Sequence, residues 1–246
     1  GKKFDIHGGG MDLKFPHHDC EIAQSEAAYN QNPANYWVHT NMLTLNGRKM
    51  SKSTENFILP ENLFSGESDI IEKGYNPMVV KFLMYQAHYR NTLDLSNESL
   101  LASEKGYNKL MQSFSDIDIL KPSEKGSDKY KLIIDKCYNS MLDDFNSPKL
   151  ISHLFELSKL IEDIKKEKEF ISKKDIDNLR SYMKVFLIDI LGFSTHKNIE
   201  REVVNKDKLI DALIDIRDFS RKIKSYEISD IIREKLNSLG INIEDK

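Results

Sequence analysis

The chain has 246 residues, of which 39% are hydrophobic and 30% charged, and its net charge is −3. This composition is typical of an ordered protein with two or three modules and excludes a globally basic surface, although a local basic strip is sufficient to bind nucleic acid. Its two cysteines, Cys20 and Cys137, exclude a disulfide framework and predict a reduced, cytosolic setting. No apolar run reaches the roughly 18 residues that a membrane-spanning helix needs.

The first elements along the chain are predicted to be a buried strand, a glycine-rich turn and a helix. Phe4-Asp5-Ile6 has the pattern of a strand end, and three glycines follow His7 directly. Pro16 suits the first position of a helix, and residues 17–28 contain no helix breaker. Because ligands bind at the carboxyl ends of strands in open α/β sheets, this turn is a candidate site.

The start of this helix carries metal-ligand residue types. His17 and Glu21 are four residues apart and would share one helix face, which provides half of a tetrahedral zinc site. A polar helix start with solvated histidines is the simpler alternative, and a His17/Cys20 pair is a rival geometry. Other polar side chains crowd the same turn, namely His18 and Asp19.

A hairpin followed by a phosphate-binding loop is predicted next. Asn46-Gly47 lies between two extended runs, which is a strong hairpin signal. The sequence Lys49-Met50-Ser51-Lys52-Ser53 follows at once. Two lysines and two serines in a loop can hold phosphate oxygens by charge and by hydroxyl donors. Taken alone, the same sequence is also compatible with a solvated surface loop.

The remainder of the chain is predicted to be helical. Cap residues and apolar periodicity predict helices beginning at residues 60, 77, 96, 130, 146, 175, 209 and 227, with Gly192 ending the one from residue 175. Met84 is expected in the core with Val80, Phe82 and Leu83, and Cys137 is expected to be a buried small hydrophobe. Basic residues over the last two helices suit phosphate contacts: Arg217, Arg221, Lys222, Lys224, Arg233 and Lys235.

These motifs, in this order and spacing, resemble the cysteinyl-tRNA synthetases, a family of class I aminoacyl-tRNA synthetases. The resemblance is densest in the first ninety residues and extends over nearly the whole chain. It rests on His7-Gly8-Gly9-Gly10, Phe15-Pro16-His17-His18, Asn35-Tyr36-Trp37, Lys49-Met50-Ser51-Lys52-Ser53, Ala87-His88-Tyr89-Arg90, Asp143-Asp144-Phe145-Asn146 and Gly240-Ile241-Asn242-Ile243-Glu244-Asp245.

The resemblance implies a mainly α fold with an α/β remnant. Residues 1–45 would be the end of a Rossmann-type catalytic domain with a zinc half-site, and 46–95 the phosphate loop with connecting helices. Residues 96–195 would form a tRNA-binding helical bundle, and 196–246 a small anticodon-binding region. The chain is expected to be the carboxyl-terminal part of a longer protein, because the family's "HIGH" loop and two zinc-ligand cysteines lie upstream.

The implied activity is ATP-dependent activation of L-cysteine and its transfer to tRNA(Cys), with zinc binding the substrate thiolate. The family's zinc histidine and glutamate fall on His17 and Glu21. Lys52 and Lys49 would be the catalytic lysines. The ATP contacts would be Lys49, Ser51, Lys52, Ser53, Gly8 and Gly9, with Mg²⁺ accompanying ATP, and the residues near the substrate would be His7 and Trp37.

Some expectations stay open at this point. Trp37 and Tyr36 are large aromatics, which usually bury, so a wall or core role is favoured over stacking on the substrate. His88 and Arg90 suit either tRNA contact or a structural role, and the structural role is favoured. A cytoplasmic monomer is expected. The alternatives are a related ligase that joins cysteine to an aminosugar, and a tRNA-binding helical module without chemistry of its own.

Overall fold

The computed structural model describes residues 2–51, 56–124, 126–194, 206–222 and 225–238. The chain divides into two compact units, residues 1–195 and 196–246. In chain order the elements are β1 (Phe4–Gly10), α1 (Asp19–Tyr29), β2 (Ala34–Thr40), β3 (Leu43–Leu45), β4 (Arg48–Lys49), α2 (Pro60–Ser65), α3 (Pro77–Tyr85), β5 (Leu93–Leu95), α4 (Asn97–Asp116), α5 (Lys129–Leu142), α6 (Ser147–Lys165), α7 (Lys173–Lys184), α8 (Lys206–Lys222) and α9 (Tyr226–Ser238). Within the described ranges, no helix has the length and apolarity to cross a membrane.

The first unit opens with a βαβ arrangement. β1 and β2 pair in parallel, and α1 lies between them in the chain. The predicted strand and helix are therefore present, with α1 beginning at Asp19 after a wider helical turn from Lys14 to His18. Within that turn only Phe15 is non-helical, with φ −133° and ψ 132°. The backbone is therefore helical from Pro16 onward and leads directly into α1. The prediction that the strand is buried is wrong, since Phe4 and Ile6 are 41% and 62% exposed.

The apolar residues of α1 do not form a buried packing face. Ile22 is only half-buried, and the helix has no buried residue. In the described chain α1 accompanies a sheet of two strands, β1 and β2, and this small sheet does not cover a helix face. Tyr36 on β2 is likewise 70% exposed, so the expected burial of the two aromatics is wrong for Tyr36.

The predicted hairpin is confirmed. β3 and β4 are antiparallel, and Asn46 and Gly47 between them have φ of 52° and 73°. Positive φ at both central residues is what a two-residue hairpin turn requires, and Asn-Gly tolerates it. β5 pairs in parallel with β3, and its Asp94 carboxylate accepts a hydrogen bond of 2.7 Å from the Gly47 amide, which ties the turn to the next strand.

The helices α3 to α7 surround the main hydrophobic core. The predicted starts at Ser96 and Asn146 are confirmed, because their side chains accept hydrogen bonds from the first turns of α4 and α6. Asn76 and Ser172, which were not predicted as caps, do the same for α3 and α7, and α7 begins at Lys173 rather than Asp175. Cys137 is fully buried among these helices, as predicted. The mainly helical fold class with small sheets is confirmed.

Two details of the bundle differ from or refine the prediction. Met84 is 51% exposed, so its placement in the core is wrong; it lies on the solvent side of α3. α7 continues as a wider turn over Val185–Ile190, and Gly192 then takes a φ of 64°, which ends the helix as predicted.

In the second unit, α8 and α9 match the two predicted helices, while residues 240–245 lie outside the described ranges.

Candidate active site

The register of β1 and β2 gathers aromatic side chains on one face of the sheet. His7 lies opposite Trp37, and Gly9 lies opposite His39. Because side chains alternate along a strand, these positions point to the same face, and Ile6 and Tyr36 point to the other. The imidazole of His7 and the indole of Trp37 are in contact, with ring centroids 4.5 Å apart.

His18 occupies the space above Gly9. It is only 4% exposed and comes from the turn that precedes α1. A Cβ atom at position 9 would lie 2.6 Å from His18 Cε1 and 2.9 Å from Nε2, so the ring fits because residue 9 is glycine. At Gly8, by contrast, a Cβ would approach only the Val38 carbonyl oxygen, at 3.9 Å.

A hydrogen bond and ring contacts hold His18 in place. His18 Nδ1 and His39 Nε2 are 2.8 Å apart and share a hydrogen bond. The Trp37 ring lies 5.1 Å from His18, centroid to centroid, and the Trp37 Nε1–H donates to Asn32 Oδ1 over 3.3 Å. Trp37 thus forms a wall of the site, and the histidines it contacts have defined orientations.

Three potential metal donors converge here. One ligand atom each from His7, His18 and Glu21 lies within 4.8 Å of the others, and His7 Nε2 is 3.1 Å from Glu21 Oε2. Two imidazoles and a carboxylate are a donor set suited to Zn²⁺. The structure brings the predicted Glu21 and His7 into this cluster, whereas the predicted His17 and the rival Cys20 are exposed and lie outside it.

The surroundings of His39 change its pKa. Burial lowers the pKa of His39 below its usual value of 6.5, and the neighbouring His18, Lys14 and His7 charges lower it further. The imidazole of His39 is therefore neutral at pH 7, and it can accept or donate a single hydrogen bond to His18 according to its tautomer.

The predicted phosphate loop begins in the described chain and continues beyond it. Lys49 ends β4 and is exposed. The Ser51 amide donates a 3.0 Å hydrogen bond to the Asn56 carbonyl, and Asn56 Nδ2 donates to the Lys49 carbonyl over 3.1 Å. The base of the loop is thus closed by Asn56. The predicted ATP contacts Lys52 and Ser53 fall outside the described residues.

Sequence reasoning missed His39 as a residue of this site and did not separate the role of His18 from that of His17. The available signal was the spacing of Trp37 and His39, which are two residues apart on β2 and therefore face the same way. The contact with His18 depends on the strand register and on the turn before α1, which local spacing does not determine.

Comparison with known protein families agrees with this architecture. Residues 1–105 match the family described as tRNA synthetases class I (C) catalytic domain. Residues 136–195 match the DALR domain. The βαβ arrangement, the histidine cluster and the hairpin all lie in the first match, and the second match contains the end of α5 together with α6 and α7.

Curated relatives cover the full chain. It is 42% identical over 246 residues to a protein of Parabacteroides distasonis named cysteine–tRNA ligase, covering 100% of this chain and 50% of that protein. A cysteine–tRNA ligase of Bacteroides fragilis is 40% identical over 252 residues with the same coverage of both. The chain spans about half the length of the curated relatives it matches.

A solved structure shares the fold at lower sequence identity. The LeuRS of Agrobacterium radiobacter K84, in a ternary complex with tRNA and LeuAMS, aligns with a TM-score of 0.53 and 14% identity, covering 74% of this chain and 24% of that one. This similarity shows a class I synthetase fold. The family matches show that residues 1–105 belong to the class I tRNA synthetase catalytic domains and residues 136–195 to the DALR domains. With the alignment to cysteine–tRNA ligases along the full chain, they confirm the resemblance that the motifs indicated.

Proposed function

We propose that the protein containing this chain is a cysteine–tRNA ligase, which activates L-cysteine with ATP and transfers it to tRNA(Cys). The observation that carries the proposal is the 42% identity to a cysteine–tRNA ligase along all of the chain. The cluster of His7, His18 and Glu21 beside Trp37 supports it, because it supplies the donor set that thiol selection requires. A cytoplasmic monomer is part of the same proposal.

Selecting cysteine over serine is the main chemical demand on the site. The two amino acids differ by one atom, and packing contacts alone separate groups this similar by only about 10- to 200-fold. Zn²⁺, when bound, would coordinate the substrate sulfur and favour the ionised thiol over a hydroxyl. Trp37 and the histidines around it would form a wall that limits the size of the side chain beside the metal.

The zinc ligands proposed for this chain are Glu21 and an imidazole from the neighbouring pair His17 and His18. The motif resemblance favours His17. The geometry favours His18, together with His7, because their ligand atoms lie within 4.8 Å of that of Glu21. In the geometric arrangement His39 would orient His18 through the 2.8 Å hydrogen bond, as outer partners of metal-binding histidines do.

Lys52 is proposed to contact the phosphates of ATP, with Mg²⁺ neutralising part of their charge. Negative charge builds on the leaving pyrophosphate in the transition state, so a lysine that approaches it only then lowers the barrier. Lys49, Ser51 and Ser53 would shape the loop. Gly8 and Gly9 are proposed to let the adenylate approach the backbone, although Gly9 also makes room for His18.

The test of the function is ATP–pyrophosphate exchange on the full-length gene product that carries this sequence. We expect exchange with cysteine, none with serine, and loss of exchange after zinc is removed. Charging of tRNA(Cys) would then separate the proposed function from the aminosugar ligase. Folded, zinc-bound protein without exchange would contradict the proposal and favour a tRNA-binding helical module.

The test of the ligands is zinc content after single alanine substitutions. Glu21→Ala should lose zinc. Loss of zinc from His17→Ala, with retention by His18→Ala, would support the motif-based assignment, and the reverse result would support the geometric one. Cys20→Ala is the matched control on the same turn and should retain zinc, since Cys20 is exposed and outside the cluster.

A further inference from the structure

Two motifs far apart in the sequence meet at one carboxylate. The segment 87–90 follows α3 within the catalytic-domain match, and the segment 143–146 is the turn between α5 and α6 within the DALR match. Neither belongs to the histidine cluster or to the phosphate loop. Their contact is therefore a junction between the catalytic region and the helical region of the first unit.

Asp144 makes three contacts across this junction. Its carboxylate accepts a 2.7 Å hydrogen bond from the Tyr89 hydroxyl and lies 2.7 Å from Arg90 Nε. Its main-chain carbonyl accepts a 3.1 Å hydrogen bond from His88 Nε2. The hydrogen bond from Tyr89, with that from Arg90, lowers the pKa of Asp144, so the carboxylate is charged at neutral pH.

The turn that presents Asp144 has a defined conformation. Asp144 and Phe145 have φ of 56° and 55°, in the left-handed region that side chains rarely adopt. Backbone hydrogen bonds from Phe145 to Met141 (3.2 Å) and from Asn146 to Ser140 (3.0 Å) hold the turn against α5. The carboxylate is therefore carried on a rigid part of the helical region.

The partners of Asp144 connect directly to the strand that bears the candidate active site. The Asn41 amide donates a 2.8 Å hydrogen bond to the Tyr89 carbonyl, and Asn41 Nδ2 donates one of 2.9 Å to the Arg90 carbonyl. Asn41 directly follows β2, which carries Trp37 and His39. A continuous series of contacts thus runs from β2 through Asn41 and residues 89–90 to Asp144.

We propose that Asp144 is a positioning residue that couples the helical region to β2, so that tRNA held by the helices is presented correctly to the activated amino acid. The inference rests on the proposed ligase function. Activation needs only cysteine and ATP, which bind in the catalytic region. Transfer also needs the end of the tRNA in register with the adenylate, and a misplacement of about 1 Å can cost on the order of 100-fold in rate.

The experiment compares Asp144→Asn with Asp143→Asn in the full-length protein. The two substitutions remove the same charge from adjacent residues, but Asp143 pairs with Lys149 on α6, at 3.1 Å, and does not cross the junction. We expect pyrophosphate exchange within twofold of wild type for both. Single-turnover transfer from preformed adenylate to tRNA should fall at least tenfold for Asp144→Asn only.

Other outcomes contradict the coupling role. Equal losses of exchange and transfer in Asp144→Asn would indicate that the residue is merely structural. Transfer that is unchanged in Asp144→Asn would also overturn the inference, as would an equal loss of transfer in Asp143→Asn. Tyr89→Phe removes the hydrogen bond donated to Asp144 and the one accepted from Arg90 Nε at 3.1 Å, and it keeps the Asp144–Arg90 ion pair. It should therefore lower transfer alone by a smaller factor, even if Asp144→Asn does not fold. Wild-type protein that fails to charge tRNA would instead refute the proposed function.

Discussion

Gly9→Ala is the substitution whose effect the structure defines best. The added Cβ would lie 2.6 Å from His18 Cε1, and an ordinary contact needs about 3.4 Å or more, so the ring must move by about 0.8 Å. The ring has little room to do so, since His18 is 4% exposed, hydrogen-bonded to His39 at 2.8 Å and in contact with Trp37.

The expected cost follows from this displacement. Overpacking a well-packed site costs about 1–3 kcal/mol, and the alanine recovers about 0.4–1 kcal/mol by restricting the unfolded chain. The free energy of unfolding should therefore fall by roughly 1–2 kcal/mol. A shift of about 0.8 Å also exceeds the roughly 0.2 Å tolerance of metal–ligand distances, so zinc affinity should fall at least tenfold if His18 is a ligand.

Gly8→Ala is the matched control, because its Cβ would meet only the Val38 carbonyl oxygen at 3.9 Å. Urea unfolding of the metal-free proteins should separate Gly9→Ala from Gly8→Ala by roughly 2 kcal/mol, and zinc titration should then rank their affinities. Equal unfolding free energies for the two variants would refute the steric reasoning. Destabilisation with unchanged zinc affinity would show that His18 is not a ligand.

Three further outcomes are expected from single sites. Burial, and then the charge of His18, lower the pKa of His39, so just below pH 6.5 the unfolded state binds more protons than the folded state and the free energy of unfolding should fall on acidification. His39→Gln should flatten the dependence of the urea-unfolding free energy on pH between pH 7 and 5. An unaltered pH dependence in this variant would contradict the reasoning. Asp94→Ala removes the acceptor of the Gly47 amide, so the free energy of unfolding should drop by about 1–2 kcal/mol and the Gly47 amide hydrogen should exchange faster. An unchanged exchange rate would refute the presence of this hydrogen bond. Burial raises the pKa of Cys137 to about 12, so a thiol reagent should modify exposed Cys20 in the native protein and Cys137 only after unfolding, and rapid native labelling of both would disprove the placement.

Local features of the sequence were sufficient to predict most of the secondary structure. Asn46 and Gly47 predict the hairpin because positive φ costs these residue types little. Ser96 and Asn146 predict helix starts because their side chains cap the first turn. The burial of Cys137 follows from apolar periodicity along α5, and each of these effects acts over a few residues.

The arrangement of the candidate site was decided by tertiary structure. The turn before α1 placed His18 rather than His17 against Gly9, and strand register placed Gly9 beside His39. His18 therefore joined His7 and Glu21. The junction at Asp144 likewise unites segments more than fifty residues apart. Contacts of this kind depend on how elements pack in three dimensions, whereas spacing along the chain reports only on neighbours within a turn or a strand.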